Sequence, residues 1–150
     1  MNQQQLFEIA SSFRHAIQTA KKNQDFHNRN DRMNYFPRGC CDDSADLLGY
    51  HLYKTYNIMS SQGNGVFRDD NPYNTTNHAW IVLLDHTIID ITADQFTYFA
   101  KYPDGIFIGQ PNHFYKNLDD IHYYEHYDIE QSERLWHDYQ VIRSYLENNG

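Results

Sequence analysis

Apolar residues recur at helical spacing near the start of the chain. Leu6, Ile9, Phe13, Ile17 and Ala20 fall on one face of "LFEIASSFRHAIQTAKK", which predicts an amphipathic helix. The next stretch, "NQDFHNRNDRMNYFPRG", is polar and aperiodic and ends on the breakers Pro37 and Gly39. A second helical pattern runs from Cys41 to about Tyr56, with Cys41, Ala45, Leu48 and Leu52 on one stripe. A third, from about Asp128 onward, aligns Leu135, Tyr139, Ile142 and Leu146.

Between the second and third helices the period changes. "GNGVFRDDNPYNTTN" is glycine-, asparagine- and aspartate-rich and predicts a loop. "HAWIVLL" and "TIIDI", separated by "DH", predict two strands of a hairpin, and "GIFIG" a short third strand. The order helix, helix, strands, helix predicts an α+β fold. At 150 residues, with neither a repeat nor a linker-like tract, residues 1–150 read as one domain.

Composition narrows the function classes. Hydrophobic residues make up 40% and aromatic residues 16%, enough for a packed core. The formal charge of −8 argues against nucleic acid and against anionic lipid, both of which require a basic surface. No apolar run reaches the roughly 18 residues of a membrane span. "MNQQQLFEIASSF" lacks the basic flank and long apolar segment of a secretory signal, so the expectation is a cytoplasmic protein. Two adjacent cysteines do not form a disulfide framework, and a ring between them would strain the peptide.

Those cysteines open the second helix. A helix N-terminus offers partial positive charge and free N–H groups to a thiolate, so Cys41 is a candidate nucleophile. Its stripe should face the sheet, whereas Cys40 shares a more mixed face with Ser44, Leu47 and His51. Asp42 and Asp43 suit the helix dipole but oppose a neighbouring thiolate, so an imidazolium would have to outweigh them. The alternative is that the cysteines are small core hydrophobes.

A thiol nucleophile needs a base, and the base needs a partner that fixes its tautomer. His78 opens the apolar run "HAWIVLL", and Asp90 interrupts "TIIDI", where an unpaired carboxylate is costly. A strict two-residue turn at "DH" would put the two side chains on opposite faces of the sheet. A three-residue loop, Leu84 to His86, would put Trp80 opposite Asp90 and make His78 its diagonal neighbour on the same face. Otherwise Asp90 would be satisfied by backbone N–H groups, and His78 would simply end a strand.

Together, "FPRGCCDDSADLL", a glycine-bearing loop, "HAWIVL" and "IIDITADQF" resemble small bacterial proteins of the papain-like and transglutaminase-like cysteine superfamily. The likeness covers residues 36 to about 96. It implies a papain-like or transglutaminase-like core, with the nucleophile helix packed on an antiparallel sheet. It also implies Cys41 as nucleophile, His78 as general base and Asp90 as orienting acid. The chain departs from that pattern at Asp42, where a glycine commonly follows the cysteine. The implied activity is amide hydrolysis or acyl transfer on a peptide, protein or amide substrate, with no cofactor. For the oxyanion, the Cys41 backbone N–H is a natural donor, with Asn34 and Tyr35 as candidate side chains and Gln95 as a supporting group.

Two alternatives stand beside this. The same fold could be a peptide-binding module with a lapsed site. "HYYEH" matches the H-x-x-E-H pattern of zinc hydrolases through His122, Glu125 and His126, but that pattern requires a helix and its surroundings lack an apolar stripe.

Overall fold

The computed structural model describes residues 1–71 and 73–148. Pro72, inside the loop expected over residues 63–77, and residues 149–150 at the end of the expected domain lie outside the described residues. Helix α1, Gln3–Lys22, starts at a reciprocal cap: the Asn2 side chain accepts from the Gln5 N–H, and the Gln5 side chain accepts from the Asn2 N–H. It buries Leu6, Ala10, Phe13, Ile17 and Ala20. Helix α2, Cys41–Tyr56, follows a turn in which Gly39 holds a φ of +71°, and it stops at Asn57 in the left-handed region. A short helix α3 spans His113–Lys116, and α4 spans Glu133–Asn148. α4 starts at Glu133 rather than Asp128, because Ile129–Gln131 forms a separate tight turn capped by Asp128.

The sheet has five antiparallel strands, β1 Ser60–Arg68, β2 Thr75–Leu83, β3 Ile88–Asp90, β4 Phe107–Gly109 and β5 Asp119–Tyr124, in the order β4-β3-β2-β1-β5. The fold is therefore α+β. Three strands depart from the sequence-based expectation, and β5 is wholly outside it. The first half of the expected loop is strand β1, and β2 begins at Thr75 rather than His78. The glycines that suggested a loop serve packing instead. A Cβ on Gly63 would lie 2.4 Å from the Trp80 Nε1, and one on Gly65 would lie 2.9 Å from the Leu118 Cβ. "HYYEH" begins in strand β5 and forms no helix. Among the described residues no helix is long and apolar enough to cross a membrane.

Each face of the sheet has its own core. Ile81, Ile89, Ile91 and Ile108 pack with Phe13, Leu48, Leu52 and Ile142 from the helices. On the other face, Trp80, Ile88 and Phe107 pack with Phe96, Phe99, Phe114, Tyr115 and Leu118, from the irregular chain that wraps this side. Alternation then fixes the site. Ile81 pairs with Ile89 and Val82 with Ile88, leaving Leu84, Asp85 and His86 as a three-residue loop. His86 takes the left-handed conformation that closes such loops, with φ 71°. Asp90 and His78 consequently share the face away from α2.

This register is testable. Deleting Asp85 shortens the loop to two residues and turns His78 and Asp90 to opposite faces. Splitting a buried charged pair should cost more than about 3 kcal/mol, read as a lowered urea midpoint. Unchanged stability would contradict the register.

Candidate active site

The two cysteines have different surroundings. Cys40, immediately before α2, is fully buried in the helical core, where the Ser44 hydroxyl donates to its sulfur at 3.7 Å. Burial pushes its thiol up to about 12, which keeps it protonated and inert. The mixed face expected for it is in fact buried, Ser44, Leu47 and His51 included. Cys41, the first residue of α2, is half-buried and opens on a cleft.

His78 and Asp90 form a buried pair. Their side chains are 0% and 1% exposed, and His78 Nε2 lies 2.6 Å from Asp90 Oδ2. The same oxygen accepts from the Tyr115 hydroxyl at 2.5 Å, while Oδ1 accepts from the Thr92 N–H at 3.1 Å and the Thr92 hydroxyl at 3.3 Å. Every acceptor position of the carboxylate is thereby used. Burial opposes a charged imidazole, but the adjacent carboxylate outweighs it with help from Cys41, and His78 is raised to about 9. Burial beside Asp90 also pushes the Tyr115 phenol well up, so it stays a donor. Phe96 packs edge-on against the imidazole, with centroids 4.8 Å apart.

The thiol and this pair meet at one cleft. β3 pairs with β2 only at Ile81 and Val82, so the β2 edge at Asn77–Ala79 has no strand beside it there. Cys41 and Ala45 of α2 surround one small cavity together with Ala79, Ile81, Ile89 and Asp90. Cys41 Sγ lies 3.8 Å from the Asn77 carbonyl oxygen, which accepts its S–H. The ring nitrogen free of Asp90, His78 Nδ1, lies 3.0 Å from Gln95 Nε2, which donates to the neutral ring; a protonated ring calls for the amide turned over, with its oxygen accepting. Cys41, His78 and Asp90 are thus brought together.

The acidic pair after Cys41 is not left as free charge. Arg32 contacts Asp42 at 3.2 Å and Asp43 at 2.9 Å, and Arg134 reaches Asp43 at 3.0 Å and Asp31 at 2.9 Å. Burial pushes the Asp43 carboxyl up, against the pull of Arg134 and Arg32. Arg134 therefore ties α4 to the N-terminus of α2.

The cleft has a volume of about 500 Å³, and Asn64, Asn77, Asp120 and His122 line it beside Cys41 and His78. Neither Asn34 nor Tyr35 lines it. The Asn34 side chain donates to the Asn28 carbonyl and Tyr35 is 64% exposed, because the loop turns both away from the helix start. His122 faces the cleft, whereas His126 bonds Asp46 and Ser60, so the H-x-x-E-H residues lack the shared helical face that pattern needs. Among the described residues no three His, Cys, Asp or Glu side chains are grouped to hold a metal ion. Sequence reasoning missed Tyr115, which is remote in sequence and has no local signature. Thr92 was detectable, since a threonine two residues after an aspartate commonly closes an Asx turn. No protein-family model, no curated protein and no solved structure matches the chain.

Two outcomes follow from the charges. The His78 imidazolium contributes stability that is complete below the unfolded histidine pKa of about 6.5. That contribution is lost as pH rises through about 9, because the folded state holds the proton longer than the unfolded one. Urea unfolding should show the largest advantage of wild type over Asp90→Asn near pH 6, shrinking as pH passes 9. An equal gap at both ends would mean that His78 is neutral throughout. Separately, Arg134→Gln withdraws the guanidinium shared by buried Asp31 and Asp43, and should cost roughly 3 kcal/mol in urea unfolding. A loss within about 0.5 kcal/mol would mark it as an ordinary surface residue.

Proposed function

We propose that the chain is a thiol-dependent acyl-transfer enzyme acting on amide substrates, a peptide or protein amide foremost, with Cys41 as nucleophile, His78 as base and Asp90 as orienting acid. The supporting observation is the fully buried His78–Asp90 pair at 2.6 Å with the Cys41 thiol beside the same imidazole at the mouth of a cleft. Asp90 occupies Nε2, so Nδ1 is the nitrogen that exchanges a proton with the thiol. The thiolate attacks the amide carbonyl, and free N–H groups of the first turn of α2 face the developing oxyanion. The imidazolium protonates the leaving amine. Water resolves the acyl-enzyme in hydrolysis, and a second amine resolves it in acyl transfer. The arrangement is consistent with a papain-like or transglutaminase-like site in a cytoplasmic setting.

A second reading has one observation in its favour. Gln95 holds Nδ1, and the thiol bonds the Asn77 carbonyl instead. In a peptide-binding module that arrangement would be permanent. In the enzyme, the Gln95 amide turns away when the thiol delivers its proton.

Alkylation separates the two. Iodoacetamide should modify Cys41 below about pH 7, well under the ordinary thiol pKa of about 8.5. His78→Gln should slow it about tenfold, and Cys40→Ser should leave it unchanged. Cys41→Ala should abolish amide turnover with the melting temperature preserved. Asp90→Asn should lower turnover less, since an amide oxygen still accepts from the imidazole. Modification only above about pH 8, insensitive to His78→Gln, would replace the enzyme with the binding module.

A further inference from the structure

Ser60, His126 and Asp46 form a second relay, and none of them lines the Cys41 cleft. Ser60 Oγ lies 2.8 Å from His126 Nε2, and His126 Nδ1 lies 2.9 Å from Asp46 Oδ1. Asp46 is 6% exposed, and its Oδ1 also accepts from the Gln62 amide at 2.8 Å. A carboxylate on Nδ1 keeps the imidazole proton there and turns the Nε2 lone pair toward the hydroxyl. That is the tautomer able to take a serine proton.

The helix beneath is shaped to this ring. Gly49, in the interior of α2, lies against His126, and a Cβ there would stand 2.4 Å from Nε2. Glycine is unfavourable inside a helix, and here it is the residue that leaves room for the imidazole. Ser60 and His126 open on a cavity of about 280 Å³ walled by Tyr50, Tyr53, Met59 and Tyr127. Glu125 and Asp128 also line it and disfavour anions.

We propose that Ser60, His126 and Asp46 are a second acyl-transfer site, a serine esterase site for small uncharged esters bearing aromatic or short aliphatic groups. Ser60 Oγ bonds to the ester carbonyl carbon as its proton passes to His126 Nε2. The acyl C–O bond then breaks, and the leaving alcohol takes the proton from His126. Water, deprotonated by the same nitrogen, hydrolyses the acyl-serine, returns the proton to Ser60 and releases the acid. Aryl esters suit this best, since a phenoxide leaves readily and its ring fits the tyrosine walls. The proposal is independent of the role of Cys41.

The test is fluorophosphonate labelling of the wild-type chain with peptide mapping, alongside p-nitrophenyl butyrate hydrolysis in a Cys41→Ala background that silences the thiol. The expected results are an adduct on Ser60, loss of adduct and of turnover in Ser60→Ala, and about a hundredfold slower turnover in His126→Gln. Circular dichroism and thermal melting check that each variant is folded. The wild-type labelling needs no variant, so a folding failure cannot mask the answer. A wild-type chain without an adduct at Ser60, or hydrolysis unchanged by Ser60→Ala, overturns the proposal.

Discussion

The structure is organised around one buried ion pair, His78 with Asp90. A charge taken fully out of water must be met at close range by every group around it, and losing one partner of such a pair typically costs about 3–5 kcal/mol. That requirement reaches outward. The two side chains must share a face, so the loop between β2 and β3 must have an odd length, and His86 must adopt a positive φ to close it. The second carboxylate oxygen must be satisfied, so the chain turns at Thr92 directly after the strand. Water must be kept out, and the aromatic segment from Phe96 to Tyr115 folds over that face. This segment, regular only in β4 and α3, thus has a physical task.

The same pair limits where a reactive group can approach. The aromatic layer covers the imidazole on one side, and the cleft that Cys41 and His78 share is lined by β1, β2 and β5. This accounts for the two adjacent thiols. A helix start at the cleft presents one residue to it and drives its neighbour into the core, and Cys41 and Cys40 take those two places. The carboxylates that follow would be an obstacle to a thiolate if unpaired. Arg32 pairs with both of them and Arg134 with Asp43, so they anchor the helix instead.

Much of this was legible from period and parity. The stripe Leu6, Phe13, Ile17 and the stripe Ala45, Leu48, Leu52 are buried as their spacing requires. The parity of the hairpin was legible only as a condition: an aspartate inside "TIIDI" that partners His78 needs an odd loop, whereas backbone N–H groups would have satisfied it in either register. What stayed hidden was set by contacts distant in sequence. The glycines of β1 have the composition of a turn, but they make room for the indole of Trp80 and the side chain of Leu118. Tyr115 lies 25 residues beyond Asp90 on a short helix. Arg134 meets Asp31 and Asp43 across more than half the chain, and no local pattern announces such pairing.

"HYYEH" shows the same limit from the other side. As a string it suggests metal binding, because a helix would put its histidines on one face. As a strand end it sends His122 to one cavity and His126 to another. The two cavities are not mechanically separate, since α2 serves both. Its first turn carries Cys41, and its second carries Asp46, followed by the glycine that admits His126. Gln62 on β1 joins them, donating to the Asp42 carbonyl at 3.2 Å and to the Asp46 carboxylate at 2.8 Å. A shift of α2 along its axis would therefore disturb the thiol and the Asp46–His126 contact together. The rigid placement of that one helix, fixed by Arg134 at its start and by the core stripe along its length, sets the geometry of both.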